Sequence, residues 1–157
     1  MRKGILSIVG VLLTLLLVAC GGTQPPPAPQ QSQQVGQTTG SLPQGQPVKT
    51  AKGTYFNIDV NQLKPLLEDE SVFTVNVHIP YSGDIPGTDA SVPFNQVAQN
   101  LDALPADKDA PVVVYCRSGN MSAQASETLA GLGYTRIFNV TGGMNAWQQA
   151  GNQLVEQ

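Results

Sequence analysis

The sequence predicts an α/β domain with a mainly parallel sheet and helices on both faces. Three observations predict it. Short β-branched or aromatic runs alternate with helix-like stretches from about residue 54 onward. The run Pro111-Val112-Val113-Val114-Tyr115 is apolar without alternation, as a strand covered on both faces must be. Clusters of Gly, Pro, Asp and Ser punctuate these runs at short intervals, and no internal repeat interrupts the order.

Taken in order, Tyr55-Phe56-Asn57-Ile58 predicts a short strand, and Asp59 or Asn61 caps a helix over 62–68. Residues 72–78, Val-Phe-Thr-Val-Asn-Val-His, predict a central strand, and 80–87 a turn-rich loop. A short strand over 90–93 leads into a helix over 94–101. After a turn at 107–110 comes the Val-rich strand 111–115, then a helix running to about 132, where Gly131 and Gly133 supply a stop. Residues 136–140 form the last strand and 144–150 the last helix, with Met144 and Trp147 at i and i+3 facing the core.

The Val-rich strand ends on Cys116, and Arg117-Ser118-Gly119-Asn120-Met121-Ser122 follows as a short polar loop opening a helix. Strand, cysteine, tight loop and helix N-terminus together aim several backbone N–H groups at one sulfur, and the helix dipole adds positive potential there. Both effects favour thiolate, so Cys116 is expected to be a nucleophile. In a parallel sheet, ligands sit at the carboxyl ends of strands, which is where this cysteine falls.

Cys116-Arg117-Ser118-Gly119-Asn120-Met121-Ser122 after a Val-rich strand resembles the active-site loop of the rhodanese (thiosulfate sulfurtransferase) superfamily. Gly83-Asp84-Ile85-Pro86-Gly87-Thr88 is similar to that family's Gly-His-Ile-Pro-Gly-Ala turn. Gly142-Gly143-Met144-Asn145-Ala146-Trp147, with Gly151 beyond it, is similar to its Gly-Gly-x-x-x-Trp helix. The three blocks span roughly 54–152, and the resemblance implies a single rhodanese-like three-layer module. It also implies an activity. A Cys116 thiolate takes sulfur from a donor such as thiosulfate, holds it as a persulfide, and yields it to a thiophilic acceptor, small molecule or protein. No cofactor is called for.

Within the loop, amides from Arg117 to Ser122 are expected to stabilise the anionic sulfur and the donor. Arg117, the loop's one basic side chain, either draws in the donor or forms a surface ion pair. Ser118 and Ser122 offer hydroxyl donors, Gly119 permits an unusual backbone angle, and Asn120 is expected to cap the helix. His78, the chain's one histidine, is either a supporting proton relay or a structural group. Related phosphatases and arsenate reductases resemble Cys-x5-Arg, which would put arginine at 122, where this chain has serine; that argues against phosphoryl transfer. Met121 stands where many relatives have arginine, which implies weaker affinity for dianionic thiosulfate and a less charged donor. Asn76-Val77-His78 replaces the family's Asp-x-Arg, and Asp84 replaces the histidine of the Gly-x-Ile-Pro-Gly turn.

The N-terminus is of another kind. Arg2 and Lys3 precede an apolar run over 5–19 that ends Leu17-Val18-Ala19-Cys20 and resembles a bacterial lipobox. The resemblance implies a signal peptide over 1–19, a lipidated Cys20 as first mature residue, and a cell-envelope, extracytoplasmic location on a bacterial membrane; an ordinary signal or an uncleaved anchor is the alternative. Residues 20–53, rich in Pro, Gln and Gly with almost no large apolar side chain, predict a disordered tether, with the folded module over 54–157. As a flexible coil of about 30 residues the tether averages roughly 30 Å.

Composition narrows the partners. The net charge is −3, and without Arg2 and Lys3 it is 6 basic against 11 acidic side chains, or −5. No basic run exists, which argues against nucleic acid, and the acidic balance leaves membrane attachment to acyl chains on Cys20. With Cys20 lipidated, Cys116 is left without a disulfide partner, and one histidine beside it makes no metal site. Two further classes stay open at this point: a non-catalytic or sulfur-carrier module that docks a partner protein, and a thiol redox protein that borrows a partner's thiol.

Overall fold

The apolar run that predicts a covered strand forms the centre of the sheet. In the computed structural model, which describes residues 42–156, Val112, Val113, Val114 and Tyr115 are all 0% exposed. The described strands are β1 (Gln46–Lys49), β2 (Thr54–Ile58), β3 (Phe73–Asn76), β4 (Ala90–Ser91), β5 (Val112–Tyr115) and β6 (Ile137–Val140). The helices are α1 (Val60–Leu66), α2 (Asn120–Gly131) and α3 (Gly143–Gln149). The sheet runs β1-β2-β6-β5-β3-β4, with β1 antiparallel to β2 and every other pairing parallel.

Strand periodicity divides β5 between two cores. Val112, Val114 and Cys116 face a cluster with Val97, Leu104, Ala125 and Leu129, so α2 and the segment after β4 cover that side. Val113 and Tyr115 face Leu63, Leu66, Met144 and Trp147, so α1 and α3 cover the other. This is the expected three-layer α/β arrangement, and it leaves the β5–α2 junction at the carboxyl edge of the sheet.

Several predicted boundaries shift for local reasons. Of the two candidate caps for the first helix, Asp59 takes the role: its carboxylate accepts from Gln62 N–H at 2.9 Å while Gln62 Oε1 accepts from Asp59 N–H at 3.1 Å. The helix therefore starts two residues earlier than predicted. The predicted helix over 94–101 is instead two 3-10 turns, Phe94–Gln99 and Leu101–Ala103. Pro93 precedes the first with no side-chain cap, Phe94 N–H is spent on Val77 O at 3.1 Å, and Asn100 at φ −123° breaks the two apart.

The predicted tether boundary at residue 53 also needs correction, because β1 lies inside it. Gln46–Lys49 pairs along β2 and extends the sheet by one edge strand, so the folded module begins before 54. The apolar run over 5–19, Cys20 and the part of the predicted tether up to 41 lie outside the described residues.

Candidate active site

Cys116 follows β5 directly, and the chain then turns back over its sulfur. Gly119 makes the turn at φ +95°, a region that costs a residue with a Cβ about 1–2 kcal/mol. Its N–H consequently points at Cys116 Sγ, 3.1 Å away. Ser122, in the first turn of α2 and 0% exposed, donates from Oγ toward Sγ at 3.6 Å and toward Gly119 O at 3.1 Å. One hydroxyl proton cannot serve both acceptors at once, and a negative sulfur is the stronger claimant.

Asn120 does not cap α2 as predicted. Gly119 holds the N-cap position, no side chain caps the helix, and Asn120 is its exposed first residue. The sulfur takes the place of the capping oxygen, which is why donors that a helix usually gives to Asn or Ser are available to Cys116. Burial pushes the Cys116 thiol up, yet hydrogen bonds from the Ser122 hydroxyl and from the amides of Ser122, Ser118 and Gly119 outweigh it and leave the pKa below that of an ordinary thiol.

A pH prediction follows from that direction. Thiolate forms as pH rises through the lowered pKa, so alkylation by iodoacetamide should reach half its limiting rate at a lower pH than free cysteine. Ser122→Ala should move that midpoint upward and slow alkylation at pH 7 about fivefold, the worth of one hydrogen bond near 1 kcal/mol. An unchanged profile in Ser122→Ala would assign the lowered pKa to the amides alone.

The loop is held from behind by α3. Met144 N–H donates to Cys116 O and Asn145 N–H to Arg117 O, each at 2.9 Å. Two N–H groups that helices leave unpaired at their start thus fix the peptide planes carrying the nucleophile. Sequence reasoning placed Gly142 and Gly143 in a matched motif without seeing this contact.

A polar network supports the other side. Asn76, at the end of β3, donates from Nδ2 to Asp84 Oδ1 at 2.8 Å and to Gly83 O at 3.1 Å, and its Oδ1 accepts from His78 N–H at 2.9 Å. Asp84 is 0% exposed and also accepts from Tyr115 Oη at 3.0 Å and Tyr81 Oη at 2.9 Å. Tyr115 Oη in turn accepts from Ile85 N–H at 3.0 Å. The two departures from the family pattern, Asn76 and Asp84, are therefore direct partners. Together they tie the 83–85 turn to the residue preceding Cys116.

At the rim, Arg117, Ser118 and Asn120 are exposed and Met121 is half-buried. His78 is half-buried with Nδ1 unpartnered; burial, and then the charge of Arg117, lowers its pKa. Arg117 makes no ion pair among the described residues. Ser122 occupies the position where an oxyanion-clamping arginine would sit, and its hydroxyl serves the sulfur instead. Among the described residues no three His, Cys, Asp or Glu side chains gather as a metal site. A cleft of about 430 Å³ beside Lys64 and Trp147 and one of about 530 Å³ beside Phe56 and Arg136 share no residue with the loop.

Residues 58–150 match the family model described as Rhodanese-like domain. A sulfurtransferase of Allochromatium vinosum is 36% identical over 102 residues, covering 62% of this chain and 92% of that protein. The thiosulfate sulfurtransferase GlpE of Shewanella oneidensis is 32% identical over 102 residues, covering 62% and 96%. Among solved structures, a rhodanese-like domain protein of Staphylococcus aureus aligns with a TM-score of 0.52 at 30% identity, covering 64% of this chain and 98% of that one. A rhodanese-related protein of Thermoplasma volcanium aligns with a TM-score of 0.55 at 26% identity, covering 64% and 98%.

Proposed function

The chain belongs to the rhodanese-like family, and on that premise we propose that it is a membrane-tethered, extracytoplasmic sulfurtransferase working through a Cys116 persulfide. The observation that carries the chemistry is the sulfur itself, met by Gly119 N–H at 3.1 Å and the Ser122 hydroxyl at 3.6 Å. The Cys116 thiolate attacks the terminal sulfur of a thiosulfate-type donor. A sulfur–sulfur bond forms to Cys116 as the donor's own sulfur–sulfur bond breaks, and sulfite leaves with the electron pair. The loop amides then hold the persulfide's negative charge. A thiophilic acceptor attacks the outer sulfur and regenerates the thiolate, giving ping-pong kinetics.

Because Cys116 is 1% exposed, only a slender terminal atom can reach it while the rest of the donor stays at the rim. That favours transfer of a single sulfur over attack on a bulky or internal bond. The tethered location is supported by the sequence alone, through the basic start, the apolar run over 5–19 and Leu17-Val18-Ala19-Cys20.

The test is the intact mass of the purified protein before and after excess thiosulfate, then after cyanide. A gain of one sulfur that cyanide removes as thiocyanate is the expected result. A protein that is folded yet gains no sulfur from thiosulfate, an organic thiosulfonate or a persulfide would sink the transferase reading and favour a docking module. For the anchor, bacteria expressing the chain and fed a labelled fatty acid should label it only while Cys20 is present.

A further inference from the structure

We propose that the preferred sulfur donor of this site carries a single negative charge and an apolar organic substituent, as an organic thiosulfonate or persulfide does. The inference rests on the sulfurtransferase reading and specifies the donor class. Its first ground is where the cations lie. Among the described residues the basic side chains are Lys49, Lys52, Lys64, Lys108, Arg117 and Arg136. Lys49 pairs with Thr54 at the amino end of β2, and Lys52 packs against Gly131 at the far end of α2. Lys108 lies 3.8 Å from the Tyr134 ring, and Arg136 O accepts from Val112 N–H at the amino end of β5. Lys64 lines the separate cleft beside Trp147.

Among the described residues Arg117 is thus the one cation at the carboxyl edge where the sulfur sits. His78 adds no second charge at neutral pH, since burial and the neighbouring guanidinium hold it neutral. The second ground is apolar. Met121, within the loop, is half-buried and packs with Phe94 on the core cluster that holds Cys116, so part of its hydrocarbon stays uncovered at the loop. The third is access: with Cys116 1% exposed, the donor's remaining group stays at this rim, between one guanidinium and that apolar surface.

The leaving group decides the match. With a thiosulfonate, the thiolate attacks the terminal sulfur, a new bond forms to Cys116, and sulfinate departs with the electron pair and one negative charge. Arg117 balances that charge. With thiosulfate the departing sulfite carries two, and the second has no partner at the rim. Organic substituents then contact Met121, where sulfite offers only oxygen.

The experiment uses the full chain, cyanide as acceptor, and thiocyanate release as the readout, with Cys116→Ser as blank. Values of kcat/KM are compared for thiosulfate and benzenethiosulfonate, each divided by its rate with a small free thiolate to remove intrinsic reactivity. The normalised ratio should favour benzenethiosulfonate by about tenfold or more, the effect of one uncompensated charge at a solvent-facing rim. Met121→Arg should restore the missing cation and reduce the ratio by raising kcat/KM for thiosulfate. Equal or better normalised use of thiosulfate by the wild-type chain overturns the donor class alone, whether or not Met121→Arg folds. Release from neither donor, nor from a small organic persulfide, overturns the sulfurtransferase reading and this inference with it.

Discussion

Cys116→Ser will gain no cyanide-labile sulfur and release no thiocyanate above the uncatalysed rate, while its fold stays intact. A serine hydroxyl is not ionised by any arrangement of a few amides near neutral pH, so nothing attacks the donor's terminal sulfur. The fold survives because the change is nearly isosteric, and the Gly119 N–H now 3.1 Å from Sγ finds an oxygen acceptor in its place. A stability change within about 1 kcal/mol is expected, read by thermal unfolding. Mass spectrometry after donor treatment checks the chemistry. Sulfur that still loads onto Cys116→Ser would have to reside on Cys20, and the site described here would then not be the working one.

Much of that site was legible in the sequence because its parts are contiguous. A Val-rich run, a cysteine, a glycine three residues on and a helix-forming stretch are each local signals, and the fold adds only their mutual aim. Gly119 was readable as a residue with an unusual backbone angle, and it has φ +95°. Asn120 was misread because a helix N-terminus usually wants a side-chain oxygen; nothing local shows that a sulfur three residues back from Gly119 will take that place.

What stayed hidden depends on contacts distant in sequence. Asn76 and Asp84 read separately as departures from a family pattern, yet they meet at 2.8 Å across the intervening loop. Tyr115, one more valine-like position in an apolar run, turns its hydroxyl to Asp84, 31 residues away. β1 was hidden for a different reason. Gln46–Lys49 is an edge strand whose side chains are mostly exposed, so it carries almost no apolar signal and owes its form to pairing with β2. The turns over 94–103 have the apolar spacing of a helix, but Asn100 at φ −123° breaks the run into two short 3-10 pieces.

Gly143→Ala will unfold or inactivate the protein although Gly143 touches no substrate. At φ +51° any Cβ is disfavoured by about 1–2 kcal/mol. Here it would also lie 1.9 Å from Cys116 O and 2.9 Å from Cys116 C, inside backbone that cannot swing away as a side chain tip can. Relief requires moving α3 off the loop, which breaks the bonds from Met144 N–H to Cys116 O and from Asn145 N–H to Arg117 O. Each lost bond costs about 1 kcal/mol, so the total is expected to reach about 3 kcal/mol or more. Any protein that still folds should load sulfur about a hundredfold more slowly, because the peptide planes that aim the Gly119 amide have shifted. Gly151→Ala is the matched control, with φ +82° but no atom within 4 Å of the added methyl. It should lose only the conformational part and load sulfur at the wild-type rate. Equal melting temperatures and equal loading rates for the two variants would show that the α3 clamp does not hold the nucleophile.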